Sequence, residues 1–220
     1  MILGLDTATP ATVVAVLPDD GEPVELRHEP PPGERPGHAT QLLALARRAL
    51  DAVGADFADV RRIGVGVGPG TFTGLRIGVA TARALAQATG AEVAAVSTLE
   101  ALAVAADTDR AVLAVLDARR GEAYAAAFLD GERLLAPLAI APEGLAALAD
   151  PRHAPWLAVG DGAVRFRDRL EPAAEVPADA SPLHGASALA VCRLAREAHP
   201  VDRDALLPEY VRLPDAVPRR

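Results

Sequence analysis

The 220-residue chain contains no lysine and no asparagine, and arginine carries all of its 22 basic side chains. Without lysine there is no phosphate-loop lysine and no Schiff-base nucleophile. Cys192 is the only cysteine, so no disulfide closes within the chain, and a reducing compartment, the cytoplasm, is expected. No apolar run is long enough to span a membrane. The first apolar run holds Asp6 and has no basic segment before it, so it does not read as a signal peptide. The three serines, Ser97, Ser181 and Ser187, lie outside any G-x-S-x-G context, and no H-E-x-x-H pair occurs. His28, His38, His153, His184 and His199 are isolated in the sequence, so no metal site and no catalytic set is expected. A net charge of −8 argues against free-standing nucleic-acid binding, which needs basic surface to replace counterions, and leaves RNA work through a basic partner open.

What is present centres on Gly68-Pro69-Gly70-Thr71-Phe72-Thr73-Gly74-Leu75-Arg76-Ile77-Gly78. It reads as strand, tight turn, helix. Pro69 fixes one φ, and the glycines supply backbone angles closed to other residues, with a positive φ expected at Gly70. Thr71 or Thr73 is a helix cap. Two readings stand: a loop aiming amides at an anion, or the plain start of a central helix. The helix over 74–89 is apolar nearly all round, apart from an edge bearing Arg76, Arg83 and Gln87.

In chain order, strands are expected at 2–5, 12–17 and 24–28, followed by a stiff Pro-rich loop. A helix over 39–53 carries Leu42, Leu43, Ala46, Ala49, Leu50 and Val53 on one side, an arc wider than one sheet face needs. A strand at 92–96, a helix at 98–106 capped by Ser97, and a strand at 111–116 ending on Asp117 come next. Shifting Leu5-Asp6 by 111 positions gives Leu116-Asp117, and the same shift carries strand 12–17 onto 123–128. This points to a duplication: two similar α/β lobes, 1–106 and 107–220, the second smaller. Strands at 134–140 and 156–159, a Pro/Ala linker at 172–182, a Ser187-capped helix to 198 and a fraying Pro-rich tail complete the chain.

Two lobes that each open with strand, Asp, turn, strand resemble the actin, sugar-kinase and heat-shock ATPase fold, which is ribonuclease-H-like. In that superfamily the turn aspartates face a nucleotide cleft, which makes Asp6, Thr7, Gly68, Gly70, Thr71 and Asp117 the candidate nucleotide- or anion-binding residues. The alternative is that each Asp bonds only its own turn. The motifs Ile2-Leu3-Gly4-Leu5-Asp6-Thr7-Ala8-Thr9, Gly68 to Gly78, and Val96-Ser97-Thr98-Leu99-Glu100-Ala101-Leu102 together resemble the TsaB (YeaZ) family. The Gly160-Asp161-Gly162 turn and Pro208-Glu209-Tyr210-Val211-Arg212 are also similar to it. The likeness is specific over 1–117 and thin over 135–205.

That family is the dimerisation subunit of the machinery that forms N6-threonylcarbamoyladenosine at position 37 of tRNAs reading codons that begin with A. The resemblance implies no catalysis by this chain alone, and no cofactor of its own, with ATP admitted at the complex. It implies a heterodimer with the catalytic paralogue TsaD, a further partner in the ATPase TsaE, a homodimer when alone, and contact with tRNA only through the complex. TsaD has metal-binding histidines on either side of a Leu-Glu pair, where this chain has Thr98 and Leu102 around Leu99-Glu100. An active kinase or ATPase of the same fold, and a glycoprotease-type peptidase, are the rival readings. The two broad apolar helices make Leu42, Ala46, Ala49, Arg76, Gly78 and Ala82 the expected partner interface, closed as a four-helix bundle.

Overall fold

Two five-stranded mixed sheets with the same strand order organise the chain. The computed structural model describes residues 1–31 and 33–211. The first sheet holds β1 (Ile2–Asp6), β2 (Thr12–Leu17) and β3 (Val24–His28). After α1 (His38–Ala52) it adds β4 (Arg62–Gly68), and after α2 (Phe72–Thr89) it adds β5 (Glu92–Ser97). Then come α3 (Thr98–Ala105), β6 (Ala111–Arg119), β7 (Glu122–Leu129), β8 (Glu132–Ile140) and β9 (Trp156–Val159). The chain finishes with α4 (Asp161–Arg165), α5 (Arg167–Leu170), β10 (Ala174–Glu175) and α6 (Ala188–Glu197). The orders are β3-β2-β1-β4-β5 and β8-β7-β6-β9-β10. In each sheet the first three strands are antiparallel and the last two are added in parallel. The repeat read from the 111-residue shift is therefore a repeat of topology, and the architecture is α/β with two similar lobes.

Alternation along β1 sorts the first lobe into two layers. Leu3 and Leu5, with Val14, Val16, Ile63 and Val65, form a core under α1 and α2. Ile2, Val13 and Ala15 form the opposite core with Ala188, Val191 and Cys192 of α6. The sheet admits α6 closely because Gly4 and Gly64 are register neighbours on that face. A Cβ at Gly4 would lie 2.6 Å from Cys192 Sγ, and one at Gly64 would lie 2.6 Å from Ala195 Cβ. Burial pushes the Cys192 thiol up to about 12, as suits a core residue. A division of the chain at 106 and 107 thus leaves α6 spatially on the first lobe's sheet, to which the chain returns after completing the second.

Several local expectations change. Residues 174–175 of the supposed linker pair with β9 as an edge strand, and Asp161-Gly162 begins a short helix. The tail up to Val211 is docked: the Glu209 amide donates to Val67 O at 2.8 Å, and Tyr210 stacks on Phe72. Arg212 and the expected fraying about Pro214 and Pro218 lie outside the described residues. Thr71 occupies the N-cap of α2, but its side chain makes no cap bond, whereas Ser97 caps α3.

In the glycine turn the positive φ, +126°, belongs to Gly68 and not to Gly70. Gly70 is required for a different reason. A Cβ there would lie 2.5 Å from Ala8 O and 2.6 Å from Ala8 Cβ, in the turn that follows β1. Gly70→Ala is expected to destabilise the protein by roughly 1–3 kcal/mol through overpacking. Chemical denaturation checks it, and an unchanged midpoint would show that the turn has slack.

Candidate functional site

The loop after β1 and the first turns of α2 are locked together through backbone. The Thr71 amide donates to Ala8 O at 2.7 Å, and the Thr7 hydroxyl donates to Gly74 O at 2.8 Å. A Cβ at Gly78 would sit 2.5 Å from Thr7 Oγ1. Glycines at 70, 74 and 78 thus form the bed on which Thr7 and Ala8 lie. Gly68 has Glu209 O in the place of a side chain, 2.6 Å from a built Cβ. Asp6, Thr7, Gly70 and Thr71 are brought together, and the Asp6 carboxylate, the Thr7 hydroxyl and the Thr71 amide are engaged inside the chain.

Asp6 is 1% exposed. Its Oδ1 accepts the Ala8 amide at 2.9 Å, and its Oδ2 accepts the Thr98 hydroxyl at 3.3 Å. Gly66 leaves room for that carboxylate, since any Cβ would overlap Oδ2. Thr98, the first of the two α3 residues singled out from the sequence, therefore serves as a partner of Asp6. The other, Leu102, is packed with Leu99 against Val112, Leu116, Phe128 and Val159 of the second sheet. The α3 helix joins the two sheets with apolar side chains.

Asp117 lies in the second lobe at the position equivalent to Asp6. Arg165 Nη1 at 2.7 Å and Arg119 Nη1 at 3.1 Å pair with its Oδ2. Its amide donates to Asp161 Oδ1 at 3.0 Å. Burial holds the Asp161 carboxyl above the usual carboxylate range. Gly162 meets the β6 backbone here, with a built Cβ 2.6 Å from Leu116 C, as Gly70 meets the turn of the first lobe. Asp161 and Arg165 were missed as partners of Asp117 because nothing local in the sequence links positions 44 or more residues apart.

The expected interface set needs correction. Leu42, Ala46, Ala49 and Ala82 are buried in the first lobe's own core, and Gly78 is buried against Thr7. Arg76 alone of the six is exposed. The outer face of α1 and α2 instead shows Leu43 and Phe72, 52% and 50% exposed, with Ala44, Ala80 and Ala84 also exposed. Arg76 lies 3.7 Å over the Phe72 ring and donates from Nε to the Tyr210 hydroxyl at 3.1 Å, so an exposed Phe72–Arg76–Tyr210 cluster stands at the start of α2.

No cluster of three or more His, Cys, Asp or Glu side chains with metal-binding geometry occurs among the described residues. His28 and His38, isolated in sequence, are neighbours in space. Thr12 is the register partner of His28 and bonds His38 Nδ1 at 2.8 Å, and the charge of His28 helps hold His38 below its usual value after burial, the larger cause.

Burial pushes the Asp6 carboxyl up to about 6, against the Ala8 and Thr98 bonds, which favour the carboxylate. The native state then holds a proton more tightly than the unfolded chain. Stability falls as pH rises from 3.8 towards about 6 and is level above that. Asp6→Asn keeps an acceptor for the Ala8 amide and carries no charge. It is expected to remove this slope and to gain roughly 2–3 kcal/mol at neutral pH. Denaturation across this window checks it: an equal difference between the two proteins at both ends would assign the effect to something other than ionisation.

The family profile described as TsaD, tRNA N6-adenosine threonylcarbamoyltransferase, matches residues 31–154. The chain is 35% identical over 222 residues to the uncharacterized protein Rv3421c of Mycobacterium tuberculosis, covering 99% of this chain and 94% of that protein. Its match to ML0378 of Mycobacterium leprae, 34% identical over 160 residues, covers 70% of this chain and 44% of that protein. To the tRNA threonylcarbamoyladenosine biosynthesis protein TsaB of Escherichia coli it is 38% identical over 126 residues, 56% of this chain and 52% of that protein. The solved structure of YeaZ from Pseudomonas aeruginosa superposes with a TM-score of 0.77 at 32% identity, covering 95% of this chain and 98% of that one. Sequence along nearly the whole chain and architecture in both lobes agree, and the chain belongs to the TsaB (YeaZ) family.

Proposed function

We propose that this chain is the supporting, non-catalytic subunit of the cytoplasmic assembly that forms N6-threonylcarbamoyladenosine at position 37 of tRNA. It binds the catalytic subunit TsaD, works with the ATPase TsaE, and pairs with itself when alone. The observation that carries this reading is the state of α3. Thr98 is spent on Asp6 and Leu102 on apolar packing between the sheets, so the two positions that would supply imidazole ligands in the paralogue supply structure here. The rival kinase reading is disfavoured by the loop after β1, whose Ala8 carbonyl and Thr7 hydroxyl are bonded to α2.

Partner binding is assigned to the outer face of α1 and α2. The exposed apolar residues there are Leu43 and Ala44 of α1 and Ala80 and Ala84 of α2, with the Phe72–Arg76 pair at the start of α2. Aromatic and arginine side chains are the usual anchors of such surfaces. The chain's −8 charge disfavours direct tRNA contact by this chain, so tRNA is reached through the complex. No helix among the described residues is long and apolar enough to cross a membrane.

Leu43→Glu and Ala80→Glu are expected to fold normally, to run as monomers in light scattering, and to bind TsaD at least about tenfold more weakly, a loss of about 1.4 kcal/mol or more. Ala46→Glu and Ala82→Glu bury an unpaired carboxylate and are expected to lose several kcal/mol of stability instead. Folded Leu43→Glu and Ala80→Glu proteins that still self-associate and still capture TsaD would sink the assignment of this face.

A further inference from the structure

Among the described residues, two buried side-chain nitrogens stand without a partner: Nδ1 of His28 and Nε2 of His38. Both exceptions sit on neighbouring rings, and buried polar atoms are as a rule satisfied. Thr12 joins the rings. It is buried, pairs in register with His28 across β2 and β3, and its hydroxyl bonds His38 Nδ1 at 2.8 Å. The second nitrogen of the His38 ring is then left for His28. A neutral imidazole has one N–H and one lone pair, so a single N–H shared between the rings satisfies both orphans at once.

His38 is the first residue of α1 and only 3% exposed, so a second proton on its ring is a buried charge. Its surroundings do not offset that charge. Gly37 gives α1 no side-chain cap and the first turn holds no acidic residue, so the positive end of the helix meets the ring. From β2 come Thr12 and otherwise apolar side chains. On β3, His28 alternates onto the same face as Val24 and Leu26, whereas Glu25 and Arg27 turn towards α6 and bond the Ser187 hydroxyl and the Ala186 carbonyl. The α2 helix brings Gly74 and Ile77, which carry no charge. Glu34, Arg35 and Arg119 line the cavity beside His38, one carboxylate against two guanidiniums. Burial first, and then the charge of His28, hold the His38 ring below its usual value.

We propose that His28 and His38 form an acid-sensitive latch on the start of α1. Sharing one N–H, the rings tie the first turn of the helix to β2 and β3. A further proton on the buried ring breaks the tie, and the turn frays. The unfolded ring titrates near 6.5 and the folded ring lower, so the latch is closed above 6.5 and weakens as pH falls below that value. This is opposite in sign to Asp6, whose carboxyl favours the folded state as pH falls. Because α1 carries Leu43 and Ala44 to the outer face, acidification also weakens partner capture. That consequence rests on the proposed function, whereas the latch is a property of the free chain.

Residue-resolved hydrogen exchange on the full chain without partners, corrected for the intrinsic rate and compared at about pH 7.5 and about pH 5.5, tests this. The Thr40 and Gln41 amides, bonded to Gly37 O at 3.0 and 2.9 Å, are expected to lose about tenfold in protection at the lower pH, and the Val191 amide of α6 to lose none. His38→Asn keeps an acceptor for the Thr12 hydroxyl and does not titrate, and is expected to abolish the difference. His28→Gln, at a half-buried position, removes the second ring and is expected to reduce it. In nitrogen-15 spectra of the wild type at the higher pH, the His38 ring is expected to show one protonated and one bare nitrogen, a readout that needs no variant. A doubly protonated His38 ring there, equal protection of Thr40 and Gln41 at both pH values, or a loss that persists unchanged in both variants would overturn the proposal.

Discussion

The first lobe depends on a backbone approach that only glycine permits. Thr7 and Ala8 lie directly on the start of α2, the Thr71 amide bonds Ala8 O at 2.7 Å, and side chains at 70, 74 or 78 would occupy the same space. This contact sets the height and direction of α2 over the sheet. It decides that Leu75, Val79, Ala82 and Ala86 face the core, and that Phe72, Arg76, Ala80 and Ala84 face outward. A single packing requirement thus shapes the outer surface while filling the inner one.

The second constraint is the junction between lobes. α3 follows β5 directly and belongs to both halves: Ala101 packs with the first sheet and α6, while Leu99 and Leu102 pack with the second sheet. The chain later crosses back, so that α6 covers the first sheet and its first turn is tied to β3 through Ser187 and Glu25 at 3.0 Å. Two crossings with apolar contacts resist opening of the lobes.

The two lobes solve one problem in two ways. Each buries an aspartate region beside a glycine-lined backbone contact at the end of its first strand. In the first lobe the carboxylate is shut away with a hydroxyl and a backbone amide, and its pKa rises to about 6. In the second lobe Asp117 is held by Arg119 and Arg165, and the raised carboxyl is that of Asp161. The difference follows from what is near: apolar α2 and α3 on one side, the arginines of the β6–β7 hairpin and α4 on the other.

Local pattern was enough to recover most elements, because strand alternation, helical period, caps at Ser97 and Ser187 and the turn glycines act over a few residues. The recurrence of strand, Asp and strand after 111 positions was likewise legible, and with it the two-lobed fold. Tertiary structure decided what local pattern leaves undetermined. The wide apolar arc of α1 contains both Leu42 and Leu43, one position and about 100° apart. Only the placement of the sheet buries the first to 1% exposure and leaves the second at 52%. The return of α6 to the first sheet, the docking of Tyr210 on Phe72, and the meeting of His28 with His38 join positions separated by long loops, where the sequence carries no periodic signal. The same holds for Gly70: a glycine was expected from its turn, but its reason, the nearness of Ala8, exists only once two segments 62 residues apart have been brought into contact.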